Sequence, residues 1–103
     1  MKRIIATLLA TALAAPAIAQ TYPSKLVRIV VPTSPAGGND AMARIVAVKL
    51  NERVKQSVIV ENKPGANGAI GTDLVAKAPA DGYTLLFGYI ATHGINPGLS
   101  KVP

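Results

Sequence analysis

Pro32-Thr33-Ser34-Pro35-Ala36-Gly37-Gly38-Asn39-Asp40 is the stretch on which the reading of this chain turns. It joins an apolar, β-branched run, Leu26 to Val31, that reads as a buried strand to a run, Asp40 to about Lys55, that reads as a helix. A strand that turns through two glycines into a helix leaves backbone N–H groups without partners and aims the positive end of the helix dipole at one spot. Such a spot favours an anion, so the stretch predicts a ligand site.

Beyond it, the helix carries Met42, Ala43, Val46, Ala47, Leu50 and Val54 on one stripe, with Arg44, Asn51, Glu52 and Lys55 opposite. Ile45 and Val48 fall off that stripe, which predicts a contact with something besides the helix's own sheet. A second strand, Val58-Ile59-Val60, runs into Glu61-Asn62 and a turn over Lys63 to Gly68. Helical spacing resumes from Ala69 to Ala78, with Ile70, Leu74, Val75 and Ala78 expected inward, and Pro79-Ala80-Asp81-Gly82 stops it. A third strand, Tyr83 to Phe87, ends at Gly88. Strands alternating with helices predict an α/β fold: β-α-β-α-β units with right-handed crossovers and a parallel sheet of order 2-1-3. Ligands then gather at the carboxyl ends of the strands, where the loops Pro32 to Asp40, Glu61 to Gly68 and Gly88 to Asn96 lie.

Before the first strand, Lys2 and Arg3 precede an apolar run from Ile4 to Ala15, and Ala17-Ile18-Ala19 precedes Gln20. This is the pattern of a secretory signal peptide over residues 1–19, with cleavage expected after Ala19. A spanning helix fits less well, because the run falls short of ~20 residues and Pro16 interrupts it. No membrane insertion is expected after cleavage. The remaining 84 residues, Gln20 to Pro103, would bury only about 60–65% of their unfolded surface. There is no cysteine, hence no disulfide, thiolate nucleophile or cysteine metal site.

The formal charge of +6 includes Lys2 and Arg3, and the other basic residues are scattered. Tyr22, Tyr83, Phe87 and Tyr89 are the only aromatics, so the basic face with interleaved rings that nucleic-acid binding requires is missing. A modest positive field favours acidic small molecules. Ser34, His93 and an aspartate do not make a hydrolase, since no Gly-x-Ser-x-Gly elbow exists, and a lone histidine cannot hold a metal. A dinucleotide reading would use Glu61 as the ribose-binding acid, but Gly65-x-x-Gly68-x-x-Gly71 has the wrong spacing and follows the second strand. No cofactor is called for.

Several blocks together resemble a known family: Pro-x-x-Pro-x-Gly-Gly-x-Asp over Pro32 to Asp40 with Ala43-Arg44 after it, Val60-Glu61-Asn62-Lys63-Pro64-Gly65-Ala66-x-Gly68-x-Ile70-Gly71, Ala80-Asp81-Gly82-Tyr83-Thr84-Leu85-Leu86, and Ile95-Asn96-Pro97. They are similar to the Bug-type (TctC-like) solute receptors of tripartite tricarboxylate transporters. The resemblance covers essentially all of the chain after Ala19. It implies a non-enzymatic periplasmic binding protein of two α/β domains, of the type II, Venus-flytrap-like kind. Such a receptor closes on a small carboxylate, an organic acid or amino acid, and delivers it to membrane permease subunits. On that comparison residues 20–103 correspond to the N-terminal portion of domain one, domain two is absent, and the chain is expected to be a truncated form.

In the family's manner, the ligand would meet Ala36, Gly37, Gly38 and Asn39, chiefly through peptide N–H groups that bare glycines leave accessible. Asp40 has two readings, a first-turn stabiliser of the helix dipole or a group receiving a ligand ammonium or hydroxyl. Thr92 and His93, in the third loop, would line the cleft. Two departures stand out: Ala36 lies where the family often has glycine, and Thr33 where an aromatic is common. The competing reading is a small α/β enzyme domain that binds a nucleotide or another anionic cofactor.

Overall fold

The computed structural model describes residues 19–99. The proposed signal peptide, apart from Ala19, lies outside the described residues. Five consecutive residues, Val27–Val31, form β1, and all but Arg28 are buried. The α1 helix follows over Gly38–Val54, β2 over Val58–Asn62, a single 3-10 turn over Ala66–Gly68, α2 over Ala69–Ala76 and β3 over Thr84–Leu86. The third carboxyl-end segment, expected as a loop, instead coils into a π-helical turn over Ala91–Ile95 and a short helix, α3, over Asn96–Leu99.

The sheet is parallel with order β2-β1-β3, as the alternation of strand and helix predicts. Val27 pairs with Val58 and Val31 with Asn62 on one side, while Arg28 pairs with Thr84 and Val30 with Leu86 on the other. A central strand flanked on both edges and covered on both faces has little use for polar side chains, which accounts for the β-branched run. Arg28 is the exception, and its guanidinium reaches Glu61 Oε1 at 3.3 Å on the neighbouring strand.

Ile29 and Val31 point to α1 and pack on Ala43 and Ala47, with Leu50, Val58, Val60 and Phe87 around them. The expected stripe of α1 is thereby corrected: Met42 is 58% exposed and Val46 40%, and the inward face is Asp40, Ala43 and Ala47 with Leu50 half-buried. Two alanines let the helix lie close to the sheet, and burial of Asp40 in the first turn fixes its rotation. Ile45 and Val48, off the stripe, are exposed. Lys55, left-handed at φ 53°, ends the helix by donating its N–H to Asn51 O.

On α2 the expected inward residues are also corrected, because Ile70 and Leu74 are exposed and the buried position is Gly71. A Cβ at Gly71 would sit 2.9 Å from the Lys63 carbonyl oxygen and 2.9 Å from Pro32 Cβ. The absence of a side chain there brings α2 down onto the start of the first loop. Gly71→Ala is accordingly expected to destabilise the protein by about 1–3 kcal/mol through overpacking. A denaturant titration that found the variant as stable as the parent would contradict this packing.

Candidate functional site

Three segments leave the carboxyl ends of the three strands, and side chains tie them together. Asn62 closes β2, donates through Nδ2 to the Thr33 carbonyl at 3.2 Å and to Asp40 Oδ1 at 3.0 Å, and so bridges the second segment to the first. Asn67 donates to Asn96 Oδ1 at 2.9 Å and Asn96 returns a bond to the Asn67 carbonyl at 2.8 Å, bridging the second to the third. Gly68, left-handed at φ 90°, lets Thr92 Cγ2 and the Tyr89 hydroxyl approach where a Cβ would collide with them. The three segments therefore hold one another at one edge of the sheet.

Asp40 is the centre of the first segment. Its carboxylate is buried and takes the Ala36 N–H at 2.9 Å, Arg44 Nε at 3.0 and 3.1 Å, and the Asn62 amide. Arg44 also reaches Asn62 Oδ1 at 3.3 Å. Of the two sequence readings of Asp40, this geometry carries the internal one, because the carboxylate is turned to the protein and its oxygens are filled. The Arg44 hydrogen bond first, then those of Ala36 and Asn62, lower its pKa from 3.8 to about 2 against the opposing effect of burial.

Ala36 adopts φ 65°. That left-handed conformation costs a residue with a Cβ about 1–2 kcal/mol, and the bond from its N–H to the Asp40 carboxylate helps to hold it. Its N–H is consequently occupied. Gly37 sits at φ −80°, ψ 175° immediately before α1, and no side chain caps the helix. The first-turn N–H groups thus lack a side-chain acceptor.

The two glycines are the informative residues. Neither Gly37 nor Gly38 has a positive φ; a Cβ at Gly37 would meet only the Ser34 carbonyl oxygen at an ordinary 3.6 Å, and one at Gly38 would meet nothing within 4 Å. The fold described here has no need of glycine at either position. The residue that does adopt the left-handed conformation is an alanine.

Thr92 is buried, and its hydroxyl donates to the Tyr89 carbonyl, accepts the Tyr89 N–H and lies 2.7 Å from His93 Nδ1. His93 is exposed and lines a shallow depression of about 370 Å³ with Gly88, Tyr89 and Ile90. A concavity of about 740 Å³ lies elsewhere, between α1 and the free edge of β2, where Arg44, Val48, Glu52 and Ile59 line it. It follows the uncovered edge of the sheet and does not touch the predicted loops. Among the described residues no group of three or more His or acidic side chains could hold a metal.

All five acidic side chains lie within ion-pair distance of a basic side chain: Asp81 with Lys25, Glu61 with Arg28, Asp40 with Arg44, Glu52 with Lys49 and Asp73 with Lys77. Glu61 is therefore engaged across the sheet, which removes the ribose-binding acid that a dinucleotide reading would need.

Sequence reasoning missed Asn62, Asn67 and Asn96 as bridges. The Asp40 and Arg44 spacing of four on one helix was a legible signal for their pairing. Nothing in the sequence marked Asn67 and Asn96 as partners.

Known proteins resemble this chain in sequence and in fold. Residues 42–103 match the TctC family, described as tripartite tricarboxylate transporter family receptor. The chain belongs to the TctC family. It is 45% identical to the protein BugT of Bordetella pertussis over 97% of its own length and 31% of that protein's. The structure of periplasmic binding protein BugD, 45% identical, superposes with a TM-score of 0.61 over 63% of this chain and 22% of that one. A structure of R. palustris Rpa4515 with adipate, 41% identical, gives a TM-score of 0.63 over 64% and 22%. The chain thus spans about a third of the length of the curated relative, and the family is one of receptors rather than enzymes.

The sign of the pH dependence follows from Asp40. A carboxyl group whose pKa is lowered on folding stabilises fully above its ordinary value of 3.8, and that contribution is lost as the pH falls through about 2. Denaturant midpoints measured between about pH 5 and about pH 2 are expected to fall more steeply for the parent than for Asp40→Asn. Parallel curves would show that Asp40 does not hold the loop.

Proposed function

We propose that the chain is the ligand-contacting first portion of a periplasmic receptor that captures a small organic acid for a tripartite tricarboxylate transporter. Residues 1–19 act as its export signal, and residues 20–103 belong to the first solute-binding domain. The permease subunits of the transporter are its membrane partners.

One observation carries the reading. Gly37 and Gly38 lack side chains that the fold would tolerate, directly before and at the start of an uncapped helix. Bare backbone at that place lets a carboxylate approach the N–H groups of Gly37, Gly38 and Asn39, where the helix dipole and charge-assisted hydrogen bonds both favour it. Ala36 and Asp40 serve this seat from behind rather than touching the ligand. His93, exposed at the same edge of the sheet, and Thr92, which holds its ring, contribute a wall.

Two further observations support an organic acid. The acidic side chains are all ion-paired, so none stands free to repel an anion, while Lys63 begins the second loop. A dicarboxylate, adipate, is bound in one structural relative. The nucleotide-binding alternative gains no support from these residues, since Glu61 is paired with Arg28.

Calorimetric titration tests the seat. The protein is expected to bind a dicarboxylate such as adipate in preference to nucleotides. Gly38→Ala is expected to weaken that binding at least about tenfold, a loss of ~1.4 kcal/mol, without lowering the melting temperature. Unchanged affinity in Gly38→Ala, or binding of nucleotides and not of carboxylates, would contradict the assignment.

A further inference from the structure

Asn62 stands in neither the turn that forms the seat nor the helix that follows it, yet three of its contacts converge on them. Its Nδ2 donates to the Thr33 carbonyl and to Asp40 Oδ1, and its Oδ1 accepts from Arg44. β2 places it in register opposite Val31, the last residue of β1, so the side chain leaves the sheet where the first loop begins. The Lys63 N–H, donated to the Val31 carbonyl at 2.8 Å, fixes the backbone on its far side.

The loop it grips has reason to move. Ala36 is held left-handed at φ 65°, and its N–H donates to Asp40 Oδ2 at 2.9 Å. Asp40 in turn can keep that oxygen aimed at Ala36 only if its other oxygen is satisfied, and there Asn62 and Arg44 supply the donors. A buried carboxylate that lost one of them would turn toward another donor or toward water, because an unfilled lone pair in a buried site is costly. Ala36 would then relax, and the peptides of Gly37 and Gly38 would rotate with it.

We propose that Asn62 is a positioning residue for the carboxylate seat: by holding Asp40 and the Thr33 carbonyl it keeps the Ala36 N–H turned inward and leaves the Gly37–Asn39 N–H groups facing the ligand. The inference rests on the reading of that seat given above. It adds a residue on a different strand, with a role exerted through Asp40. Arg44 shares the work, but its guanidinium is half-exposed and sits on the same helix as Asp40, so it cannot tie the loop to the sheet as Asn62 does.

The test uses the full chain without ligand first. Amide hydrogen exchange of Ala36 is expected to quicken at least tenfold in Asn62→Ala, although Asn62 is not its bonding partner, while Ile29 and Val30 in the central strand keep their protection. The exchanged pair Asp40→Asn with Asn62→Asp, which retains one carboxylate and one amide between the two positions, should recover part of the Ala36 protection. Adipate titration of the same proteins should show affinity falling in Asn62→Ala and partly returning in the exchanged pair. Unaltered Ala36 exchange in Asn62→Ala overturns the proposal. So does loss of Ile29 and Val30 protection in parallel, which would make Asn62 a general prop of the fold. If the parent itself binds no carboxylate, the reading of the seat fails, and the exchange data still decide whether Asn62 governs the loop.

Discussion

A carboxylate taken out of water must be met by donors on every side, and at Asp40 this requirement organises the loops at the carboxyl end of the sheet. One donor comes from the loop before it, one from its own helix and one from the neighbouring strand. Each donor is brought by a different piece of secondary structure, so satisfying one side chain fixes three pieces relative to one another. The rotation of α1, the left-handed turn at Ala36 and the close of β2 follow from the same set of bonds.

The contrast between Ala36 and its two successors is the observation from which the proposed seat is argued. Left-handed backbone is usually the reason for a glycine, yet here the left-handed residue is an alanine and the glycines are not left-handed. What the glycines provide is room, on the side of the loop that faces away from the protein. Under the proposal made above, that room is what a ligand carboxylate would occupy.

The order of strands and helices was legible in the sequence because β-branched runs and helical spacings differ in period and because Pro and Gly mark the joints between them. Right-handed crossovers alone admit the order 1-2-3 as well, and the order 2-1-3 is the one common in doubly wound folds. Helix orientation was less legible. Met42, Val46, Ile70 and Leu74 are as apolar as the residues that are buried, and the actual inward faces are set by small or charged groups, Ala43, Ala47, Asp40 and Gly71. A hydrophobic stripe cannot anticipate a buried aspartate or the close approach that a glycine allows. The coiling of the third segment over Ala91–Ile95 depends on Thr92 bonding back to Tyr89 and on Asn67 meeting Asn96 from 29 residues away, which no local pattern announces.

The most direct test of the account is backbone amide NMR of the protein titrated with adipate. The account predicts that the resonances of Gly37, Gly38 and Asn39 move most and move downfield, as N–H groups do on gaining a charged acceptor, with Ala36 shifting little because its N–H is already taken. Shifts concentrated in the groove between α1 and the edge of β2, with the glycine amides unmoved, would contradict it.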